Sequence, residues 1–245
     1  MKTALITGAN KSIGYEAARQ LLQQGYYVYV GSRNLANGQQ AVAQLKAEGL
    51  TQVEPIQLDV TDRRSITAAR QALGQRTAVL DVLINNAGIL GGMSQPALTT
   101  STDTIREVFD TNVFGVIEVT QAFIDLLQQS SAPRIVNVTS GLGSLTLHND
   151  PSWRYYAVKG AAYQPSKAAL NAYTIMLAYE LRDTPFKVNA VDPGYTATDF
   201  NHHSGPGSVA DAAARLVKAA TLGPDGPTSQ FFSDDNAPET GISPW

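Results

Sequence analysis

The chain's 245 residues could make one α/β domain or two small ones, and a net charge of −3 offers no basic field for nucleic acid or an anionic membrane. The absence of cysteine excludes disulfides, thiolate metal sites and cysteine nucleophiles together, and is compatible with a reducing cytoplasm. Hydrophobic content of 43% and charged content of 16%, with no apolar run near the ~18 residues of a spanning helix, lead us to expect a soluble cytoplasmic protein without a membrane partner.

Strand-like and helix-like segments alternate. Thr3–Thr7 is a short apolar run, and Ile13–Gln24 has helical periodicity. Tyr26–Gly31 is β-branched and aromatic, Gly38–Glu48 helical, and Val53–Leu58 extended. Arg63–Leu73 is helical and Val79–Asn85 reads as a buried strand. Thr104–Gln129 reads as one long helix. After it come a strand at Arg134–Thr139, a helix at Ala162–Leu181, a strand at Phe186–Val191, a helix at Ala210–Ala220 and a last strand at Gln230–Ser233. Such alternation implies βαβ units, hence an α/β fold with a doubly wound parallel sheet and helices on both faces. No Pro- or Ser-rich linker divides residues 1–245, so a single domain is expected. The loops Gly141–Ala161 and Asn201–Ser208 follow strands, which makes them candidate walls of a ligand pocket. The tail ending at Trp245 is expected to be a surface end.

The first loop, Thr7-Gly8-Ala9-Asn10-Lys11-Ser12-Ile13-Gly14, joins a strand to a helix. Gly8 permits a tight turn and Gly14 close packing of the helix. Backbone N–H groups from Asn10 to Ile13 and the helix N-terminus could hold a pyrophosphate. The second strand is followed by Ser32, Arg33 and Asn34. An acidic residue there would bond both hydroxyls of an NAD ribose, and none is present. Arg33, Ser32 and Lys11 instead suit a 2′-phosphate, so NADP(H) is the expected cofactor. Asp59, followed by Val60, could accept from an adenine amino group or cap the next helix, where Thr61 or Asp62 is the better cap. The small residues of Asn86-Ala87-Gly88 would let a nucleoside approach the backbone.

Tyr163 and Lys167 are four residues apart and share a helix face, with Ser140 upstream at the end of a strand. A cation beside a phenol favours the phenolate, so Lys167 is expected to bring the Tyr163 pKa down towards working pH. Tyr155 and Lys159 have the same spacing. Their segment lacks a sustained helical period, whereas Tyr163 opens a long one, so Tyr163 is the expected proton donor.

TGxxxxxG, LDV, NNAG, TNVFG, NVTS, YxxxK and DPG occur in that order along essentially the whole chain. In this the chain resembles the short-chain dehydrogenase/reductase family, whose fold is Rossmann-type. It is most similar to the carbonyl-reductase-like, single-domain members through its TG-x-NK-x-IG loop, the Arg after the second strand and the ending Gly226–Phe232. The resemblance implies that Tyr163 is the general acid/base. It implies that Lys167 lowers the Tyr163 pKa and bonds the nicotinamide ribose, and that Ser140 orients the substrate carbonyl. By the same resemblance Asn112 holds a water of a proton relay; its side chain could equally satisfy backbone at a helix kink, and the two roles are compatible. Pro193 and Gly194 would line the nicotinamide, with Thr196 and Thr198 near its carboxamide. Leu142, Leu145, Trp153, Tyr195 and Phe200 are candidate substrate contacts, and Trp153, His148 and Tyr155 of the long loop could wall the pocket. The implied reaction is NADPH-dependent reduction of a ketone or aldehyde, reversible as secondary-alcohol oxidation.

The chain departs from the family pattern at two points. Ser12 stands where a glycine is usual, and 23 residues separate Ser140 from Tyr163 where roughly a dozen are common. The longer loop leaves both a monomer and a homo-oligomer (dimer or tetramer) open, because an insertion there can cover a helix face used for assembly. The three histidines, His148, His202 and His203, have no metal-ligand spacing, so no metal is expected. No G-x-S-x-G elbow supports a hydrolase. A regulator that binds NADPH without turnover would not need the proton-transfer set. An epimerase or dehydratase of this family would usually carry a larger C-terminal substrate region.

Overall fold

The computed structural model describes residues 1–245. Its seven strands are β1 (Thr3–Ile6), β2 (Tyr27–Ser32), β3 (Val53–Gln57), β4 (Val82–Asn85), β5 (Arg134–Val138), β6 (Lys187–Val191) and β7 (Phe231–Phe232). All are parallel and form one sheet in the order β3-β2-β1-β4-β5-β6-β7. The order reverses between β1 and β4, and ligands bind at such a switch point beyond the strands' carboxyl ends. This is the expected Rossmann-type doubly wound fold.

The strands are apolar on both faces because both are covered. Ala4, Ile6, Val28, Val30, Val82, Ile84, Val136 and Val138 pack on one side with Ala17 and Leu21 of α1 (Ser12–Gln23), Leu45 of α2 (Leu35–Ala47) and Leu216 of α8 (Val209–Ala220). The alternate residues Leu5, Tyr29, Leu83 and Ile135 pack on the other. There they meet Ile66 and Leu73 of α3 (Arg63–Gly74), Phe123 of α5 (Gly115–Leu127) and Ala178 of α7 (Tyr163–Glu180). The period-two alternation of strand side chains therefore builds two cores from one sequence run.

The run expected as one helix over Thr104–Gln129 is divided. It forms α4 (Thr102–Phe109), a wide π turn at Asp110–Phe114, and α5. Within that turn the Asn112 side chain is committed to the backbone of Ile89. Gly115 lies so close to Val60 that a Cβ would come within 2.7 Å of the Val60 carbonyl oxygen. The wide turn accommodates both contacts, as single π turns often do beside sites. The 141–161 loop also has local structure: a 3₁₀ turn at Gly141–Gly143 and a short helix α6 (Leu145–His148), capped by the Ser144 hydroxyl. Trp245 is not a free end. Its ring stacks on Phe231 at 5.5 Å, and its carbonyl accepts from the Thr146 N–H. No helix is long and apolar enough to cross a membrane.

Candidate active site

A cavity of about 940 Å³ opens at the carboxyl ends of the strands. One end is the turn after β1. Gly8 has φ +62°, and a Cβ there would lie 3.0 Å from Ala87 Cα. A Cβ on Gly14 would be 2.5 Å from Asn86 Nδ2 and 2.9 Å from the Gly8 carbonyl oxygen. The sequence assigned Gly14 to packing of helix on strand; its closest neighbours are in fact Asn86 and the turn itself. Asn86 Nδ2 donates to the carbonyls of Thr7 (2.9 Å) and Gly8 (3.2 Å), while Thr7 Oγ1 accepts from the N–H groups of Asn86 and Ala87. The ends of β1 and β4 are thus laced together beneath the turn. Asn10, Lys11, Ser12 and Ile13 line the cavity.

Ser32, Arg33 and Asn34 also line it, as do Asp59, Val60, Asn86, Ala87 and Gly88. Ser32 is buried and donates to the Asn34 carbonyl at 2.8 Å, whereas Arg33 is exposed at the rim. Lys11 is paired with Asp199 at 2.8 Å, which also meets His203 Nε2 at 2.9 Å. That ion pair bridges the turn to the loop after β6, a partner for Lys11 that the sequence did not reveal. Asp62 is the cap of α3, and Asp59 Oδ1 accepts from the N–H and hydroxyl of Thr61.

The other end holds Ser140, Tyr163 and Lys167, all on the cavity wall. Lys167 Nζ donates to the Val138 carbonyl at 2.8 Å and lies 5.8 Å from the Tyr163 ring centroid. The Ser140 side chain is within reach of the phenol. Burial pushes the Tyr163 phenol up from its ordinary value, against a downward pull from Ser140 and with a further upward push from the Asp192 carboxylate. Burial also lowers Lys167 to about 8, with Asp192 opposing. The expected lowering of the phenol by Lys167 is therefore corrected. The ammonium is itself buried and tied to a backbone carbonyl, and the phenol's loss of water is the dominant effect.

Asn112 is fully buried and does not line the cavity. Its Oδ1 accepts from Ile89 N–H, and its Nδ2 donates to the Ile89 carbonyl and Ser166 Oγ. These bonds perform the backbone-satisfying role, which is compatible with the other. A Cβ on Gly88 would sit 3.2 Å from Asn112 Oδ1 and 3.7 Å from Lys167 Nζ, so the three converge.

Pro193, Gly194, Thr196, Thr198, Leu142, Tyr195 and Phe200 line the cavity, and Phe200 lies 5.6 Å from the Tyr163 ring. Leu145 and Trp153 do not line it. Leu145 is 64% exposed, on the outer side of α6. Trp153 packs edge-on against His148 and Tyr155. Tyr155 takes the wall position instead, with its hydroxyl accepting from Arg154 at 2.6 Å. Lys159 also lines the cavity but is held by His148 and lies over the Tyr156 ring, and the segment is not helical. Only the Tyr163–Lys167 pair thus shares a helix face. Gln95 and the buried Asp192 line the cavity as well; Asp192 was read only as part of the DPG motif, and Gln95 was not singled out from the sequence. Gln95 stands in an aperiodic segment, where no pattern marks a side chain as inward.

Residues 2–208 match the model of the short chain dehydrogenase family. The chain is 33% identical to a (+)-neomenthol dehydrogenase of Capsicum annuum, over 94% of each protein. It is similar to the structure of salutaridine reductase from Papaver somniferum, with 30% identity, a TM-score of 0.82, and coverage of 96% of this chain and 100% of that one. It is also similar to NADPH-bound carbonyl reductase from chicken fatty liver, with 26% identity, a TM-score of 0.82, and coverage of 100% and 99%. With this sheet order, the glycine turn and the Ser140, Tyr163 and Lys167 cluster, the chain belongs to the short-chain dehydrogenase/reductase family and is carbonyl-reductase-like within it.

Proposed function

We propose that the chain, acting as one unit over residues 1–245, reduces a ketone or aldehyde to an alcohol with NADPH and catalyses the reverse oxidation of a secondary alcohol. One observation carries this reading: a single cavity joins the glycine turn to Ser140, Tyr163 and Lys167. The relatives named as neomenthol dehydrogenase, salutaridine reductase and carbonyl reductase agree with it.

The residues present fit the cofactor. A Cβ would fill the cradle at Gly8 and Gly14, and no carboxylate follows β2 where an NAD ribose would want one. Arg33 and Lys11 are the cations for a 2′-phosphate, and Ser32 adds a hydroxyl. Asn86, Ala87, Gly88, Asp59 and Val60 would flank the adenosine, and Pro193, Gly194, Thr196 and Thr198 the nicotinamide. When bound, NADPH supplies the hydride.

The protein's own part is positioning and proton transfer. Ser140 and Tyr163 direct O–H groups at the carbonyl oxygen and polarise it. Tyr163 gives that oxygen its proton. Lys167 holds a positive charge beside the phenol, so that the phenolate left after transfer is stabilised where it forms. Leu142, Tyr195 and Phe200 exclude water from the reacting end. The apolar wall favours ketones with little charge.

The test is NADPH oxidation at 340 nm across aldehydes, ketones and diketones, with Tyr163→Phe and Tyr155→Phe beside wild type. Turnover lost about 10³-fold or more only in Tyr163→Phe is the expected result. Loss only in Tyr155→Phe would move the proton donor into the loop. NADPH bound by wild type with no carbonyl reduced would return the non-catalytic regulator.

A further inference from the structure

We infer that Gln95 is a positioning residue for Tyr163: its side-chain amide caps the helix that carries the phenol and straps that helix to the loop after β4. The first four N–H groups of an α-helix have no partner within it. Helix α7 begins at Tyr163, and its N-cap, Ala162, brings no side-chain acceptor. The acceptor comes from 67 residues upstream in the chain. Gln95 Oε1 accepts from the N–H of Ala162 (3.1 Å) and of Tyr163 itself (2.9 Å).

The other half of the amide faces the loop. Gln95 Nε2 donates to the carbonyls of Leu90 (2.6 Å) and Gly92 (2.8 Å). The Gln95 backbone carbonyl accepts from Ala161 N–H at 2.9 Å. Gln95 is only 6% exposed, and both amide protons and both lone pairs of its oxygen are in use. This fixes the orientation of the amide, since a rotated group would set donor against donor. Gly160 leaves room for it: a Cβ there would stand 3.0 Å from Oε1.

The consequence is positional. Tyr163 is the first residue of its helix, where an uncapped end frays. The phenol must hold its place against Ser140 on β5's loop and Lys167 one turn on. Leu90 and Gly92, held by the same amide, line the cavity. Gln95 therefore ties a cavity wall and the phenol-bearing turn into one rigid unit, without touching the reacting atoms. Displacing a reacting group by about 1 Å costs on the order of 10²-fold in rate.

The kinetic arm of the test rests on the proposed reductase reading; a second arm, amide exchange, does not. Gln95→Met keeps length and loses every polar contact. Gln95→Glu keeps the acceptor, which a helix N-terminus favours, and loses both donors. In Gln95→Met the Ala162 and Tyr163 amides, followed by NMR, should exchange at least about 10-fold faster than in wild type, because nothing else accepts from them. In Gln95→Glu they should stay protected. With NADPH and a carbonyl that wild type reduces, kcat of Gln95→Met should fall about 10- to 100-fold while the Kd of NADPH stays within about twofold. Gln95→Glu should recover part of kcat. Equal exchange of the two amides in all three proteins would overturn the inference. So would wild-type kcat in Gln95→Met, even with a lowered melting temperature, since that would leave a stabilising role alone. If Gln95→Met does not fold, fast exchange of these amides in Gln95→Glu overturns it. A wild type that reduces no carbonyl would sink the reductase reading and leave the exchange arm to decide this one.

Discussion

Ser12 occupies left-handed backbone, with φ at +56° and no glycine to relieve it. For an L-residue that region costs about 1–2 kcal/mol, and glycine returns part of the gain as unfolded-chain entropy, about 0.4–1 kcal/mol. Ser12→Gly should therefore stabilise the protein by about 0.5–1 kcal/mol, read as a raised urea midpoint at constant slope. A lowered midpoint would mean that the hydroxyl holds something the backbone does not reveal. Arg33 poses a different residue-scale question. It is exposed at the cavity rim, on the proposed side of the 2′-phosphate. Arg33→Ala should weaken NADPH binding about 10- to 100-fold, the worth of a charged hydrogen bond, and leave NADH binding unchanged. Titration by nicotinamide fluorescence separates the two, and equal losses for both cofactors would remove the 2′-phosphate assignment.

At the scale of elements, the helix broken at Asp110–Phe114 is held open by one side chain. Asn112 satisfies both the N–H and the carbonyl of Ile89 in the interior. Asn112→Ala leaves both groups buried and unpaired, which costs about 2–4 kcal/mol. Urea unfolding should show that loss, and a change under 1 kcal/mol would mean that water replaces the amide. The sequence offered this break only as a kink that Asn112 could satisfy, because the helical period runs through Asp110–Phe114 and the sole local mark is Gly115 directly after it. The strands were legible for the opposite reason: runs such as Ala4-Leu5-Ile6 and Val82-Leu83-Ile84 are apolar on both faces and only a doubly covered sheet absorbs them. Ser140, Tyr163 and Lys167 were legible as well, since their chemistry is carried by residue type and spacing. The 141–161 loop was legible only as a loop. Leu145 and Trp153 are apolar residues of the right size that point elsewhere, while Gln95 acts through contacts 67 residues distant that no local pattern encodes.

For the whole molecule, Lys167 links the candidate site to global stability. In the unfolded chain its pKa is 10.5, and burial brings it to about 8 in the fold. Below pH 8 both states carry the proton, and the folded state bears the full cost of a buried ammonium. Between about 8 and 10.5 the folded Lys167 is neutral while the unfolded one stays charged. The unfolded state then binds more protons, so stability rises with pH across that window. At about 1.4 kcal/mol per pH unit the rise is about 3 kcal/mol at its limit. Tyr163 opposes it only at higher pH. Its raised pKa means that stability is lost above the unfolded value of 10.0, where the unfolded phenol ionises first. Comparing wild type with Lys167→Met between pH 7 and 10 isolates the lysine, because other titrating groups are common to both. Wild type should gain about 2–3 kcal/mol on the variant across that range. Parallel curves would mean that the ammonium keeps its charge in the fold, stabilised by Val138 and Asp192 more strongly than burial opposes it. The same titration bears on activity, since the charge beside Tyr163 in the folded protein is lost around pH 8. Carbonyl reduction by the free enzyme should accordingly decline on an alkaline limb centred near pH 8, and a rate that is level to pH 10 would separate the lysine's charge from proton transfer.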